Sequence, residues 1–154
     1  MTSPRHEKLR ADLAELKLYR IAEVYQEVLD EAARKQSSML DVLITLVGEE
    51  IAARRQGALQ RRIDRARLPP RKTLQEYKFD VPKRIPKQAI LRLFDCDFVA
   101  QHGCAVFIGA TGMGKTHLLT ALGYTACEKA ITVRFVRVVD MINTLTTAQI
   151  KGTL

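Results

Sequence analysis

The 154-residue sequence has no tryptophan, and beyond Asp140 it has no acidic residue at all. Aromatic residues make up only 6% of it, so any core must be built mainly from aliphatic side chains. Its three cysteines (Cys96, Cys104 and Cys127) are an odd number without metal-ligand spacing. They read as reduced thiols in a cytoplasmic protein, and their spacing argues against a cysteine-based zinc site. Cys104 reads as a small buried apolar residue. His6 and His102 have no partner at ligand spacing, so no metal site made of protein side chains alone is expected. No apolar run approaches the roughly 20 residues that cross a bilayer, and Met1 to Lys8 has no apolar signal core; no membrane partner is expected.

Acids are also scarce in one internal stretch. Between Ile51 and Arg92 there are 13 basic residues against three acids, Asp64, Glu76 and Asp80. The chain as a whole carries +8, so the rest is close to neutral. A block of this kind suggests a polyanion, most commonly nucleic acid, and the pairs Arg54-Arg55 and Arg61-Arg62 are the candidate contacts to double-stranded DNA. A solvated helix face gives the same count.

With 47% hydrophobic and 27% charged residues the composition is that of a globular chain. From about Arg5 to Lys35 the leucines and isoleucines recur at three-to-four spacing, which predicts one long helix or two abutting ones. Ser38 and Asp41 resemble a cap and its first-turn acid, opening a helix from about Met39 to Gly48 with Leu40, Leu43, Ile44 and Val47 inward. Helical periodicity continues, rich in arginine, from Glu49 to Arg67 until Pro69-Pro70 ends it. Residues 71–85 are basic, with Tyr77, Phe79 and Val81 alternating as a short extended piece. Pro86 suits the first position of a helix running to about Gln101, packing through Ile90, Leu91, Phe94 and Val99. Residues 105–108 and 132–139 read as buried strands, separated by a helix from Lys115 to Lys129 with Leu118, Leu119, Leu122 and Ala126 inward. Asp140 would cap a last helix, Met141 to Gln149.

The most specific feature lies between the first strand candidate and that helix. Gly109-Ala110-Thr111-Gly112-Met113-Gly114-Lys115-Thr116 satisfies G-x-x-x-x-G-K-[ST] at every required position. Such a loop wraps a polyphosphate with inward-pointing backbone N–H groups, and glycine reaches the dihedrals this needs without a Cβ clash. Lys115 would meet the β- and γ-phosphate oxygens, Thr116 would offer its hydroxyl to Mg²⁺, and the helix N-terminus would add positive potential. The expected cofactors are ATP and Mg²⁺. His117 reads as structural.

Hydrolysis needs more than the loop. A Mg²⁺-holding Asp followed by a water-activating Glu usually ends a later strand. Asp140 is followed by Met141 and reads better as a helix cap, so no catalytic residue is assigned.

The run from Gly109 to Leu118 with Ala121-Leu122-Gly123 resembles the loop and helix of the IstB family, ATP-binding helpers of insertion-sequence transposition. That family is similar in turn to the DnaC helicase loaders of the AAA+ class. Upstream, Glu49-Glu50, the two arginine pairs, Leu68-Pro69-Pro70, Lys72-Thr73-Leu74 and Phe79-Asp80 look like its arginine-rich helix and linker. Leu13, Leu16-Lys17-Leu18 and Tyr25 look like its helical N-terminus, and Val136 to Leu145 look like its second strand and helix. The resemblance implies an α/β fold class: a helical N-terminal domain over 1–68, a basic linker and helix over 69–100, and a truncated P-loop (AAA+) α/β core over 101–154. It also implies double-stranded DNA and a transposase as partners, and a homo-oligomer.

Members of that family run longer, past an Asp-Glu strand, sensors and an arginine finger. The expectation is therefore a truncated helper whose strands lack their neighbours and whose C-terminal third folds poorly alone. Two alternatives share these residues: a non-catalytic DNA- or partner-binding module with a vestigial loop, and a replicative loader-like ATPase.

Overall fold

The computed structural model describes residues 3–79 and 86–153. Val81 of the expected extended piece, and the charged Asp80, Lys83 and Arg84, lie outside the described residues. Seven helices occur among the described residues: α1 (Pro4–Glu15), α2 (Tyr19–Lys35), α3 (Met39–Ala66), α4 (Lys87–Leu93), α5 (Asp97–Ala100), α6 (Lys115–Glu128) and α7 (Val138–Ile150). None is long and apolar enough to cross a membrane. The chain divides into two compact units, Met1–Ala58 and Leu59–Leu154.

In the first unit the N-terminal periodicity resolves into two helices. The Leu18 amide donates to Leu13 O at 2.8 Å and the Lys17 amide to Ala14 O at 3.0 Å, closing α1 while Lys17 takes φ +57°. This is a Schellman closure with a lysine where glycine is usual. Val24 and Tyr25 of α2 are buried, and the Tyr25 hydroxyl lies 3.0 Å from His6 Nδ1.

The start of α2 has no side-chain cap of its own. Glu50 of α3 supplies one from a distance. Its Oε2 accepts from the Arg20 amide at 2.9 Å and the Ile21 amide at 3.2 Å, while its Oε1 accepts from Arg54 Nε at 2.8 Å. The carboxylate is buried, and the Arg54 guanidinium, helped by those two amides, holds its pKa below the usual carboxylate range.

α3 opens with the expected cap: Ser38 Oγ donates to Asp41 Oδ2 at 2.7 Å, and the Asp41 amide returns to Ser38 Oγ at 3.2 Å. It then continues unbroken through Gly48 and Gly57 for 28 residues. Its packing differs from expectation. Leu40, Leu43, Ile44 and Val47 face outward, while Val42 and Leu46 are half-buried and Glu50 is buried. The apolar periodicity is wide enough to serve either side, and the capping bond from Glu50 to α2 selects the side that faces in.

The second unit does not form the α/β core expected for 101–154. No strand is present among its described residues, and the helices carry its regular structure. The two strand candidates keep the burial rhythm of strands without a ladder. Ala105 and Phe107 are half-buried while Val106 and Ile108 are 75% and 91% exposed; Ile131, Val133 and Phe135 turn inward while Thr132, Arg134 and Val136 turn out. These runs do not pair with each other, and the Phe135 amide instead donates to Ala66 O at 2.8 Å. Apolar alternation reads a strand's side-chain period, but a strand also requires a neighbour to complete its hydrogen bonds.

The core of this unit sits on α6. Leu118, Ala121, Leu122 and Ala126 bury one stripe against Tyr77, Ile90, Phe94 and Cys96, with Phe107, Ile131 and Val133 packed around it. Leu119, expected inside, is exposed. The single helix expected from Pro86 to Gln101 is interrupted where Cys96 takes φ +62°, which separates α4 from α5 and turns Leu91 and Val99 to solvent. α7 begins at Val138, so Asp140 lies inside its first turn rather than capping it, and Arg137 binds its carboxylate at 2.7 Å.

Candidate functional site

The glycine-rich loop ends where α6 begins. Gly112 and Gly114 have φ of +84° and +76°, the left-handed region in which side chains with a Cβ are strained. Gly114 is doubly constrained, because a Cβ there would lie 2.5 Å from Tyr77 Cε2. The Tyr77 hydroxyl donates to Met113 O at 2.9 Å, so one buried ring packs on the loop and bonds its backbone.

Tyr77 is itself held by a local turn. The Thr73 amide donates to Glu76 Oε2 at 2.8 Å, the Glu76 amide returns to Thr73 Oγ1 at 3.3 Å, and the Tyr77 amide bonds to Leu74 O. His117, in the first turn of α6, lies 2.8 Å through Nε2 from Thr73 O and packs edge-on to Tyr77 at 5.4 Å. A carbonyl only accepts, so the His117 tautomer in this contact carries its proton on Nε2. Sequence reasoning missed this buttress, although Thr73-x-x-Glu76 is a capping-box spacing and could have flagged the turn.

Within the loop Lys115 folds back. Its Nζ donates to Gly109 O at 2.9 Å and to Ala110 O at 2.8 Å, holding the ammonium across the mouth of the loop. Ala110, Thr111, Met113 and Thr116 are exposed. The first turn of α6 cannot satisfy the amides of Lys115, Thr116 and His117 internally, whereas the Leu118 amide bonds to Gly114 O. Three free amides, a helix N-terminus and one ammonium form a donor set suited to phosphate oxygens. Beside the loop is a cavity of about 710 Å³, lined among others by Tyr77, Ile90, Leu93, Phe107 and Ile108. It is large enough to take a nucleoside-sized group.

Cys104, expected to be buried, is exposed. Cys96 and Cys127 are buried, and burial pushes both thiols above the ordinary thiol range. Among the described residues no cluster of three or more metal-ligating side chains occurs.

The four candidate DNA-contacting arginines are not equivalent. Arg54 bonds Glu50 through Nε and Lys17 O through a terminal nitrogen at 2.9 Å. Arg62 is half-buried and donates from Nε to Cys127 O at 3.2 Å, near the C-terminal end of α6. Arg55 and Arg61 are exposed and make no side-chain bond among the described residues. Each adjacent pair thus has one member, Arg54 or Arg62, whose head group is bonded within its unit, and one, Arg55 or Arg61, whose head group is not, although Arg54 is also exposed.

Residues 11–154 match the family described as IstB-like ATP binding protein. The chain is 31% identical over 149 residues to the insertion sequence IS232 putative ATP-binding protein of Bacillus thuringiensis subsp. berliner, covering 97% of this chain and 60% of that protein. It is 30% identical over 142 residues to the insertion sequence IS21 putative ATP-binding protein of Pseudomonas aeruginosa, covering 92% and 54%. With the insertion sequence IS5376 putative ATP-binding protein of Geobacillus stearothermophilus it shares 27% over 134 residues, covering 87% and 53%. The chain therefore spans between half and three fifths of the length of these relatives. A match over nearly its whole length, joined to a glycine-rich loop leading into a helix, establishes that the chain belongs to the IstB-like ATP binding family.

Proposed function

We propose that the chain binds ATP at residues 109–116 and serves insertion-sequence transposition as a helper protein. The carrying observation is the loop itself: two left-handed glycines, three free amides at the start of α6, and a lysine whose ammonium lies over the loop mouth. In the bound state Lys115 leaves the carbonyls of Gly109 and Ala110 for the β- and γ-phosphates. The amides of Gly112, Gly114, Lys115 and Thr116 close around the same oxygens, with Ala110, Thr111 and Met113 completing the loop. The exposed Thr116 hydroxyl would hold Mg²⁺, which neutralises phosphate charge when bound. Double-stranded DNA meets the basic face of α3 through Arg55 and Arg61, and the protein works in the cytoplasm with a transposase and with copies of itself.

The test is calorimetric titration of ATP into the wild type and Lys115→Ala. Loss of binding in the variant is expected, and unchanged affinity would sink the assignment.

A second reading rests on Asp140. It is the sole acid after α6, it is engaged by Arg137, and it stands in a helix turn. On this reading residues 1–100 bind DNA or a protein partner, and the loop at 109–116 is vestigial. DNA affinity measured with and without ATP separates the two: a response to ATP favours the helper, and indifference favours the binding module.

A further inference from the structure

α3 ends at Ala66, and Arg67 takes φ +52°, the left-handed turn that commonly closes a helix. Ala66 is fully buried, while Arg65 and Arg67 on either side of it are exposed. The extended run after α6 meets the helix at this residue, where the Phe135 amide donates to Ala66 O at 2.8 Å. Phe135 turns inward, and Arg134 beside it is exposed. One backbone bond thus lays two segments distant in the chain side by side, apolar members inside and arginines outside. With standard backbone lengths, it keeps the Cα atoms of Arg65, Arg67 and Arg134 within about 15 Å of one another.

The charges around this contact are unequally engaged. Arg62 donates to Cys127 O, and Arg137 is held by Asp140 at 2.7 Å. Arg65, Arg67 and Arg134 make no side-chain bond among the described residues. The remaining acid of the two segments, Asp64, accepts from Gln60 at 2.8 Å. Arg61 lies one turn before Arg65 on the same face of α3, so the positive row runs from Arg61 through Arg65 to Arg67 and Arg134. Arg134 stands outside the basic block of the sequence, in the part whose charges nearly cancel, and the fold brings it here.

We propose that Arg65, Arg67 and Arg134 form one phosphate-binding patch that grips the backbone of double-stranded DNA. It rests on the reading that the basic face of α3 meets DNA, and it adds a second segment of the chain to that contact. Guanidinium forks meet phosphate oxygens bidentately, and phosphates follow at about 3.4 Å of rise on each strand, so a patch of this width spans a few of them. A protein partner would call for an apolar centre ringed by polar groups. Here Ala66 and Phe135 are turned in, and Val136 is the single exposed apolar residue of 64–67 and 133–137.

The experiment is a salt series of binding to a labelled random-sequence duplex, read by fluorescence anisotropy on the full chain. Arg134→Ala should lower affinity several-fold at low salt and reduce the slope of log affinity against log salt by about 0.9, the share of one phosphate. Arg65→Ala should act in the same way, and Arg134→Lys, which keeps the charge, should restore the slope. Lys151→Ala removes an equal charge at the far end of α7, about 20 Å along that helix from Arg137, and should leave the slope unchanged. A slope indifferent to Arg134→Ala, lowered as much by Lys151→Ala, or not restored by Arg134→Lys overturns the proposal. So does binding of polyglutamate in place of the duplex with the same sensitivity to Arg134→Ala, which would assign the patch to an acidic protein. If the duplex does not bind the wild type, the DNA reading of α3 falls and this patch with it. If Arg55→Ala and Arg61→Ala lower the slope while Arg134→Ala does not, the patch alone is refuted.

Discussion

The Tyr77 hydroxyl donates to the carbonyl of Met113, 36 residues away, at 2.9 Å, and the same ring fills the space a side chain at Gly114 would need. A residue from the turn before α4 thus fixes both the shape and the composition of the phosphate loop. Removing only the hydroxyl, in Tyr77→Phe, should cost about 1 kcal/mol of stability and weaken ATP binding several-fold. Chemical denaturation and calorimetry measure the two effects.

Gly114→Ala should be more severe, because the new methyl meets the Tyr77 ring at a backbone angle that already disfavours a Cβ. A destabilisation of about 1–3 kcal/mol is expected, and part of it should return in the Tyr77→Ala background, where the steric component disappears and the dihedral component stays. If the two changes simply add, the ring is not the obstacle.

Glu50 gives the first unit an acid-sensitive joint. Its folded-state pKa is depressed, first by Arg54 and then by the amides of Ile21 and Arg20. The stability it contributes is complete above the unfolded carboxylate value of about 4.3, and it is lost as pH falls through the lower folded value. Glu50→Gln should therefore lower stability at pH 7 by about 1–3 kcal/mol and flatten its dependence on pH below 5. Urea midpoints at pH 7 and pH 3.5 report both.

Arg55 and Arg61 should govern DNA affinity, whereas Arg54 and Arg62 should govern the fold. Replacing the exposed pair with alanine should reduce the slope of log affinity against log salt by about 0.9 for each phosphate no longer neutralised, without moving the denaturation midpoint. Replacing Arg54 or Arg62 singly should destabilise by about 1–2 kcal/mol. Fluorescence anisotropy across a salt series, paired with denaturation, tests the division. A slope indifferent to Arg55 and Arg61 would make them solvated surface.

Ala130 closes α6 with φ +64°, and the Ile131 amide bonds back to Ala126 O at 2.9 Å. Ala130→Gly keeps that closure and removes the strain, so it should stabilise by about 0.5–1 kcal/mol, visible as a raised denaturation midpoint.

Local signals in the sequence translated well into local structure. The Ser38-Asp41 cap, the continuation of helix through the arginine pairs and, Leu119 apart, the buried stripe of α6 were all readable, because each depends on residues within a turn or two of one another. Three features were not. The outward turn of Leu40 and Ile44 is decided by where Glu50 bonds α2, and no apolar period encodes a polar contact across 30 residues. Residues 105–108 and 131–136 have the apolar content and burial rhythm of strands, while Val138 and Val139 of the second candidate belong to α7; a strand is a property of two segments, and a single run cannot announce its neighbour. The arginines, finally, are identical letters. Adjacent positions on a helix differ by about 100° in direction, so Arg54 and Arg55 meet different surroundings, and a charge count adds both to one total. The glycine-rich loop and its junction with α6 were legible by motif, whereas the residues that shape it from outside, Thr73, Glu76 and Tyr77, were not singled out as doing so.

Lys115 bonds two carbonyls of the loop that precedes it, and this makes the loop a competitor for its own ammonium. Affinity for a triphosphate at this loop is then a difference between two sets of hydrogen bonds, one broken and one formed. On the proposed reading, the lysine must leave both carbonyls before a phosphate can take its ammonium. A change that weakens the hold of Gly109 and Ala110 on the lysine would thus tighten nucleotide binding without touching a phosphate. Conversely, a small anion able to draw Lys115 away would loosen the resting loop before any nucleotide arrives.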